Sequence, residues 1–68
     1  MTLYGYVIQF EDGDYLTENY QKSGINHALI IRTISRVNEH IEAFNEQSFN
    51  QIGMRYDLTP IHLELKII

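Results

Sequence analysis

The 68-residue sequence predicts an α+β fold: a four-stranded antiparallel or mixed sheet with one helix packed on one face, in the order β-β-β-α-β. Three observations carry that expectation. An aromatic and β-branched run near the N-terminus is interrupted by Asp-Gly, the apolar period changes to three and four after Arg36, and a strictly alternating run closes the chain.

Leu3 to Phe10 (LYGYVIQF) and Tyr15 to Asn19 (YLTEN) read as paired strands, with Asp12-Gly13 between them. Asp-Gly favours a two-residue type I′ turn, in which both central residues take positive φ. That turn pairs Phe10 with Tyr15, Ile8 with Thr17 and Tyr6 with Asn19. Tyr4, Tyr6, Ile8, Phe10 and Tyr15 then share one face, and Leu3, Val7, Leu16 and Tyr20 the other. Glu11 and Asp14 face each other across the turn, at a small cost in like-charge repulsion.

A polar connection, Tyr20 to Asn26, leads to HALIIRTI, His27 to Ile34, whose β-branched content reads as a third strand. Ser35 is the expected N-cap of the helix that follows. Val37, Ile41, Phe44, Ser48 and Ile52 lie on one helical stripe, widened by Phe49 and Tyr56, and Gly53 is the expected C-cap. Thr59-Pro60 closes the connection, because the residue before proline is pushed toward extended geometry. Ile61 to Ile68 (IHLELKII) alternates, with Ile61, Leu63, Leu65 and Ile67 on the side expected to meet the helix. Adjacent third and fourth strands joined through the helix would be parallel, with a right-handed crossover.

At this length one small domain, 1–68, is expected, and its core is modest enough that association between copies is an economical route to further burial. With no cysteine, disulfides, thiolate metal sites and a cysteine nucleophile are excluded. A formal charge of −4 and a pI near 5.1 disfavour direct contact with nucleic acid or anionic lipid. Neither a signal peptide nor a membrane span is evident, so an unprocessed cytoplasmic protein is expected.

The sequence carries little that resembles reaction chemistry. Glu11, Asp12, Asp14 and Glu18 crowd around Gly13, yet their spacing does not reproduce a calcium loop. His27, His40 and His62 lie on three separate elements without paired spacing, which gives no zinc or histidine-based site. Glu39, Glu42 and Glu46 form an acidic helix side of the kind that is ordinarily solvated. Ser23 and Ser35 lack a nucleophile-elbow context, and the four glycines are isolated, so no phosphate-cradling loop is present. No catalytic residue, no metal and no cofactor is expected.

Both sides of the first hairpin are apolar, and a single helix covers only one face of a sheet. The surplus predicts a contact surface, either Tyr4, Tyr6, Phe10 and Tyr15 or Leu3, Val7, Leu16 and Tyr20, serving a homodimer or a partner protein. Glu11, Asp12 and Asp14 are the candidate acidic contacts for a basic partner surface.

The run YVIQFEDGDYLTEN, followed after a polar gap by HALIIRTISRVNEHIEAF and a short final strand, resembles small accessory proteins encoded by phages and prophages of Gram-positive bacteria. That group has no recognised catalytic residues. The resemblance implies a non-enzymatic phage protein in the host cytoplasm, one that binds and inhibits a host or defence factor in an anti-CRISPR-like manner. The alternative is a self-assembling structural or regulatory module, or a small-ligand sensor.

Overall fold

The computed structural model describes residues 2–66; Met1, Ile67 and Ile68, and the side chains of Thr2, Leu3, Leu65 and Lys66, lie outside the described residues. Strand β1 (Thr2–Phe10) is the centre of the molecule, flanked by the two-residue strand β2 (Tyr15–Leu16) on one side and by β4 (Leu58–Lys66) on the other. A further two-residue strand, β3 (Lys22–Ser23), completes the sheet in the order β3-β2-β1-β4. All pairs are antiparallel, so the expected fold class holds in its antiparallel form. A single helix, α1 (Ile34–Ile52), packs on one face.

The first turn differs from the two-residue expectation. Phe10 donates to Asp14 O at 2.7 Å and accepts from Gly13 N at 3.1 Å, and of the loop residues Glu11, Asp12 and Gly13 only Gly13 has positive φ (97°). This is a three-residue loop, a type I turn closed by a left-handed glycine. Asp12 therefore avoids the left-handed conformation that a type I′ turn would demand of it, and its side chain accepts from Asp14 N instead. The consequence is a register shift of one. Gln9 pairs with Tyr15, which puts Leu16 on the face of Ile8 and Phe10 and moves Tyr15 to the opposite face, alongside Val7. Glu11 does not face Asp14.

The second hairpin repeats the device. Thr17 donates to Gln21 O and accepts from Tyr20 N, and Tyr20 takes the left-handed position with φ 57°. A tyrosine there is strained by roughly 1–2 kcal/mol relative to glycine. Its ring offsets that cost: the hydroxyl lies 2.7 Å from His40 Nδ1, and the ring meets Phe44 edge-on at 6.0 Å.

The segment expected as a long third strand is only partly extended. It opens with a 3₁₀ turn (Ile25–His27) and then makes one bridge, in which Ile31 exchanges both backbone hydrogen bonds with Tyr6. The edge of β1 at Ile8 and Gln9 is already held by β2, and Leu29 donates to Leu16 O where that strand ends. The segment bonds to β1 beside Tyr6, and two residues later Thr33 caps the helix, which ends the pairing. The segment does not neighbour β4, which pairs with β1, so no parallel pair forms.

Thr33, two residues before the expected Ser35, caps the helix by accepting from Arg36 N. Gly53, with φ 71°, ends it and donates to Phe49 O. The core under the helix joins Ile8, Phe10, Leu16, Ile31 and Val37, with Phe44 and Tyr56 meeting Phe10 edge-on at 5.4 and 5.8 Å. Asn45 clamps Tyr56 there through both of its backbone groups. Ile52 and Phe49, expected on the buried stripe, are more than half exposed, because the stripe outruns the sheet; Arg55 covers the Phe49 ring at 5.0 Å.

Ser48 is the exception within the stripe. It is buried, and its hydroxyl has no hydrogen-bond partner among the described residues. Ser48→Ala removes an unsatisfied donor and raises helix propensity, so a gain of about 1 kcal/mol is expected in urea titration. A loss of comparable size would show that the hydroxyl has a partner in solution.

Candidate interaction surface

The decisive geometric fact is which side of β4 meets the helix. Phe10 pairs with Leu58 and Ile8 with Pro60, so the helix-facing side of β4 carries Leu58, Pro60, His62 and Glu64. Val7 pairs with Ile61 and Gly5 with Leu63, so the apolar side of β4 lies on the opposite face. This corrects the expectation that Ile61 and Leu63 meet the helix. The helix α1 packs on the other side of the sheet from these residues.

The far face has its own small apolar centre. The Tyr6 to Ile31 bridge sets Ile30 across from Val7 on one side, while Ile61 lies across from it on the other. Val7 is 0% exposed on the side away from α1, whereas Ile30 is 47% exposed and Ile61 and Leu63 are half-buried. Gly5 permits this arrangement. A Cβ at that position would stand 3.0 Å from Ile30 Cγ2 and 3.3 Å from Ile31 O. Tyr15 also lies on this face, half-buried, within 3.4 Å of Gln9 Nε2.

The expected contact residues therefore divide by burial. Phe10 and Leu16 are sealed under the helix, Val7 is sealed on the far face, and Tyr20 is committed to His40 and Phe44, so none of these four offers a free surface. Tyr4 is 56% exposed on the helix side of the sheet, and Tyr6, on the same side, is half-buried against the core. There His62 stacks on Tyr4 at 5.7 Å with an interplanar angle of 4°, and meets Tyr6 at 5.1 Å. The side chain of Leu3 is outside the described residues. Ile30, Ile61 and Leu63 were missed because a strand alternation shows that two sides differ without showing which side the helix takes.

The acidic hairpin tip is partly neutralised from within. Lys22 of β3 forms an ion pair with Asp12 and lies over the Phe10 ring at 5.3 Å. The lysine hydrogen bond, followed by the one from Asp14 N, holds the Asp12 carboxyl below the ordinary aspartate value of 3.8, and Asp12 in turn raises Lys22 above 10.5. The pair's contribution is thus present above the unfolded carboxyl value and fades as pH falls through the lowered one. At the alkaline end it is present below 10.5 and fades as pH rises through the raised lysine value. Lys22→Met is expected to return the Asp12 titration, followed by NMR, toward 3.8. An unmoved titration would show that Lys22 does not hold it.

Glu11 and Asp14 are exposed at the same tip. His27 is exposed in the 3₁₀ turn, His40 is held by Tyr20, and His62 is held by Tyr4 and Tyr6. Among the described residues, no group of three or more His, Asp or Glu side chains converges to hold a metal, and no helix is long and apolar enough to cross a membrane. A cleft of about 730 Å³ lies between the second hairpin and the 3₁₀ turn, lined by Glu18, Gln21, Asn26 and His27 together with Leu29 and Ile30. In comparisons with known proteins, the chain matches no family model, no curated protein and no solved structure.

Proposed function

We propose that this chain is a non-enzymatic phage accessory protein that acts by protein–protein contact in the host cytoplasm, occupying a host or defence factor. The observation that carries the contact reading is the apolar sheet face turned away from α1, where the exposed Ile30 and the half-buried Ile61 and Leu63 surround the sealed Val7. A partly exposed apolar cluster of this kind is the usual mark of an interface. The phage assignment rests on the resemblance of YVIQFEDGDYLTEN and HALIIRTISRVNEHIEAF to that group. The formal charge of −4 favours a partner with a basic surface, such as one that otherwise holds nucleic acid.

Leu63→Asp tests the reading, since it places a carboxylate on the far face while leaving the helix-side core untouched. The expected result is one stoichiometric partner recovered from host lysate by the wild-type chain and lost by the variant, with circular dichroism unchanged. Equal recovery by both would remove the far face from the reading. No partner together with a monomeric mass in light scattering would remove the reading altogether.

A self-assembling module is the second reading, and a separate observation favours it. β4 is nine residues long and forms an outer edge of the sheet, so one row of its backbone groups has no strand beside it.

A further inference from the structure

The backbone geometry identifies which groups that outer edge presents. Tyr6 spends its N–H and C=O on Ile31, away from β4, so even-numbered residues of β1 point away from β4 and odd-numbered ones bond to it. Their β4 partners Thr59, Ile61 and Leu63 therefore point inward, and Leu58, Pro60, His62 and Glu64 point their backbone groups outward. Pro60 falls at an outward position, where its missing N–H costs the β1 ladder nothing.

We propose that the edge of β4 pairs with the β4 edge of a second copy, antiparallel, about a two-fold axis at Leu63. This deepens the self-association reading and rests on it. Two independent features select the register. Centring on Leu63 sets His62 opposite Glu64 of the other copy, twice by symmetry, whereas centring on Glu64 would oppose two like carboxylates. It also sets Pro60 opposite Lys66 at the ends of the new ladder, where the carbonyl left without a donor stays in water. Centring on His62 instead brings Pro60 opposite Glu64 and places that gap inside the ladder. The imidazole is already oriented, because Tyr4 stacks on His62 and Tyr6 flanks it. On the opposite face the two copies of Leu63 come together, and the apolar strips of both sheets become continuous.

Single cysteines in this cysteine-free chain test the register. Leu63 faces its own copy at a non-hydrogen-bonded position, with Cα atoms about 4.5 Å apart, within disulfide reach. Ile61 instead faces Leu65, several residues from its own copy. Leu63→Cys is expected to form a covalent dimer on mild oxidation at micromolar concentration, and Ile61→Cys to stay monomeric in denaturing gels. Glu64→Lys should weaken dimerisation about tenfold by removing from each pair the carboxylate that accepts from His62, and the swapped double variant His62→Glu with Glu64→Lys should restore it. A wild-type chain that is dimeric by light scattering, with no Leu63→Cys cross-link or with equal cross-linking at both positions, overturns this edge register alone. A monomeric wild-type chain overturns the register and the self-association reading together.

Discussion

Replacing Leu16 by alanine is expected to leave this chain largely unfolded at room temperature. Leu16 is 0% exposed and belongs to the cluster that joins β1, the Ile31 segment and α1. Leucine-to-alanine changes at such sites cost about 2 to 5 kcal/mol, the lost transfer energy plus the cavity left behind. A domain below roughly 70 residues seldom has more than about 3 to 5 kcal/mol of core stability to lose. Collapse around the cavity is also restricted. β2 is two residues long, clamped between Gln9 and β3, and its Leu16 carbonyl accepts from Leu29 N at 2.8 Å. Dispersion of the amide NMR spectrum should disappear in the alanine variant, while Leu16→Met, which conserves volume, should cost under about 1.5 kcal/mol. A well-dispersed alanine variant losing under 1 kcal/mol would mean that the helix does not seat on this residue.

Gly5→Val should produce the second largest effect, and it should be local before it is global. The nearest side-chain neighbour of an added Cβ is Ile30 Cγ2, and Ile30, 47% exposed, has room to turn. The decisive neighbour is the Ile31 backbone oxygen at 3.3 Å, because that oxygen accepts from Tyr6 N and cannot retreat without breaking the bridge. A cost of about 1 to 3 kcal/mol follows from the forced displacement. Hydrogen exchange distinguishes this from general destabilisation. Protection should fall first at Tyr6 and Ile31, whose amides make the bridge, and persist at Val7 and Ile61, which are bonded across the β1–β4 ladder. Uniform loss of protection would contradict the local account.

Much of the fold was legible in short windows of the sequence. The aromatic run of β1, the alternation that became β4 and the stripe from Val37 to Ser48 each reflect a periodicity that one element can satisfy alone. Gly53 closing the helix is likewise a local event, since only the terminal residue must adopt the left-handed conformation. The proposed contact surface was legible only as a surplus of apolar residues. Of the described tyrosine, phenylalanine and aliphatic candidates Tyr4 alone is largely exposed, while the acidic candidates Glu11, Asp12 and Asp14 are all exposed at the hairpin tip.

The sequence by itself determined β1, the helix and β4 and their order along the chain, but not β3, which forms at Lys22–Ser23 within the stretch read as a polar connection. It also determined the presence of more apolar strand surface than one helix can cover. Tertiary structure decided which surface that is. Asp12-Gly13 serves a two-residue turn and a three-residue turn alike, and the two differ by a single step of register that sends Leu16 and Tyr15 to opposite faces. β1 is apolar on both sides, so its own pattern states no preference for the helix. The preference arises where Phe10 and Leu16, placed together by that register, meet Val37 and Phe44, leaving Ile61 and Leu63 on the far side. A turn one residue longer thus fixes which apolar side is core and which faces away from the helix.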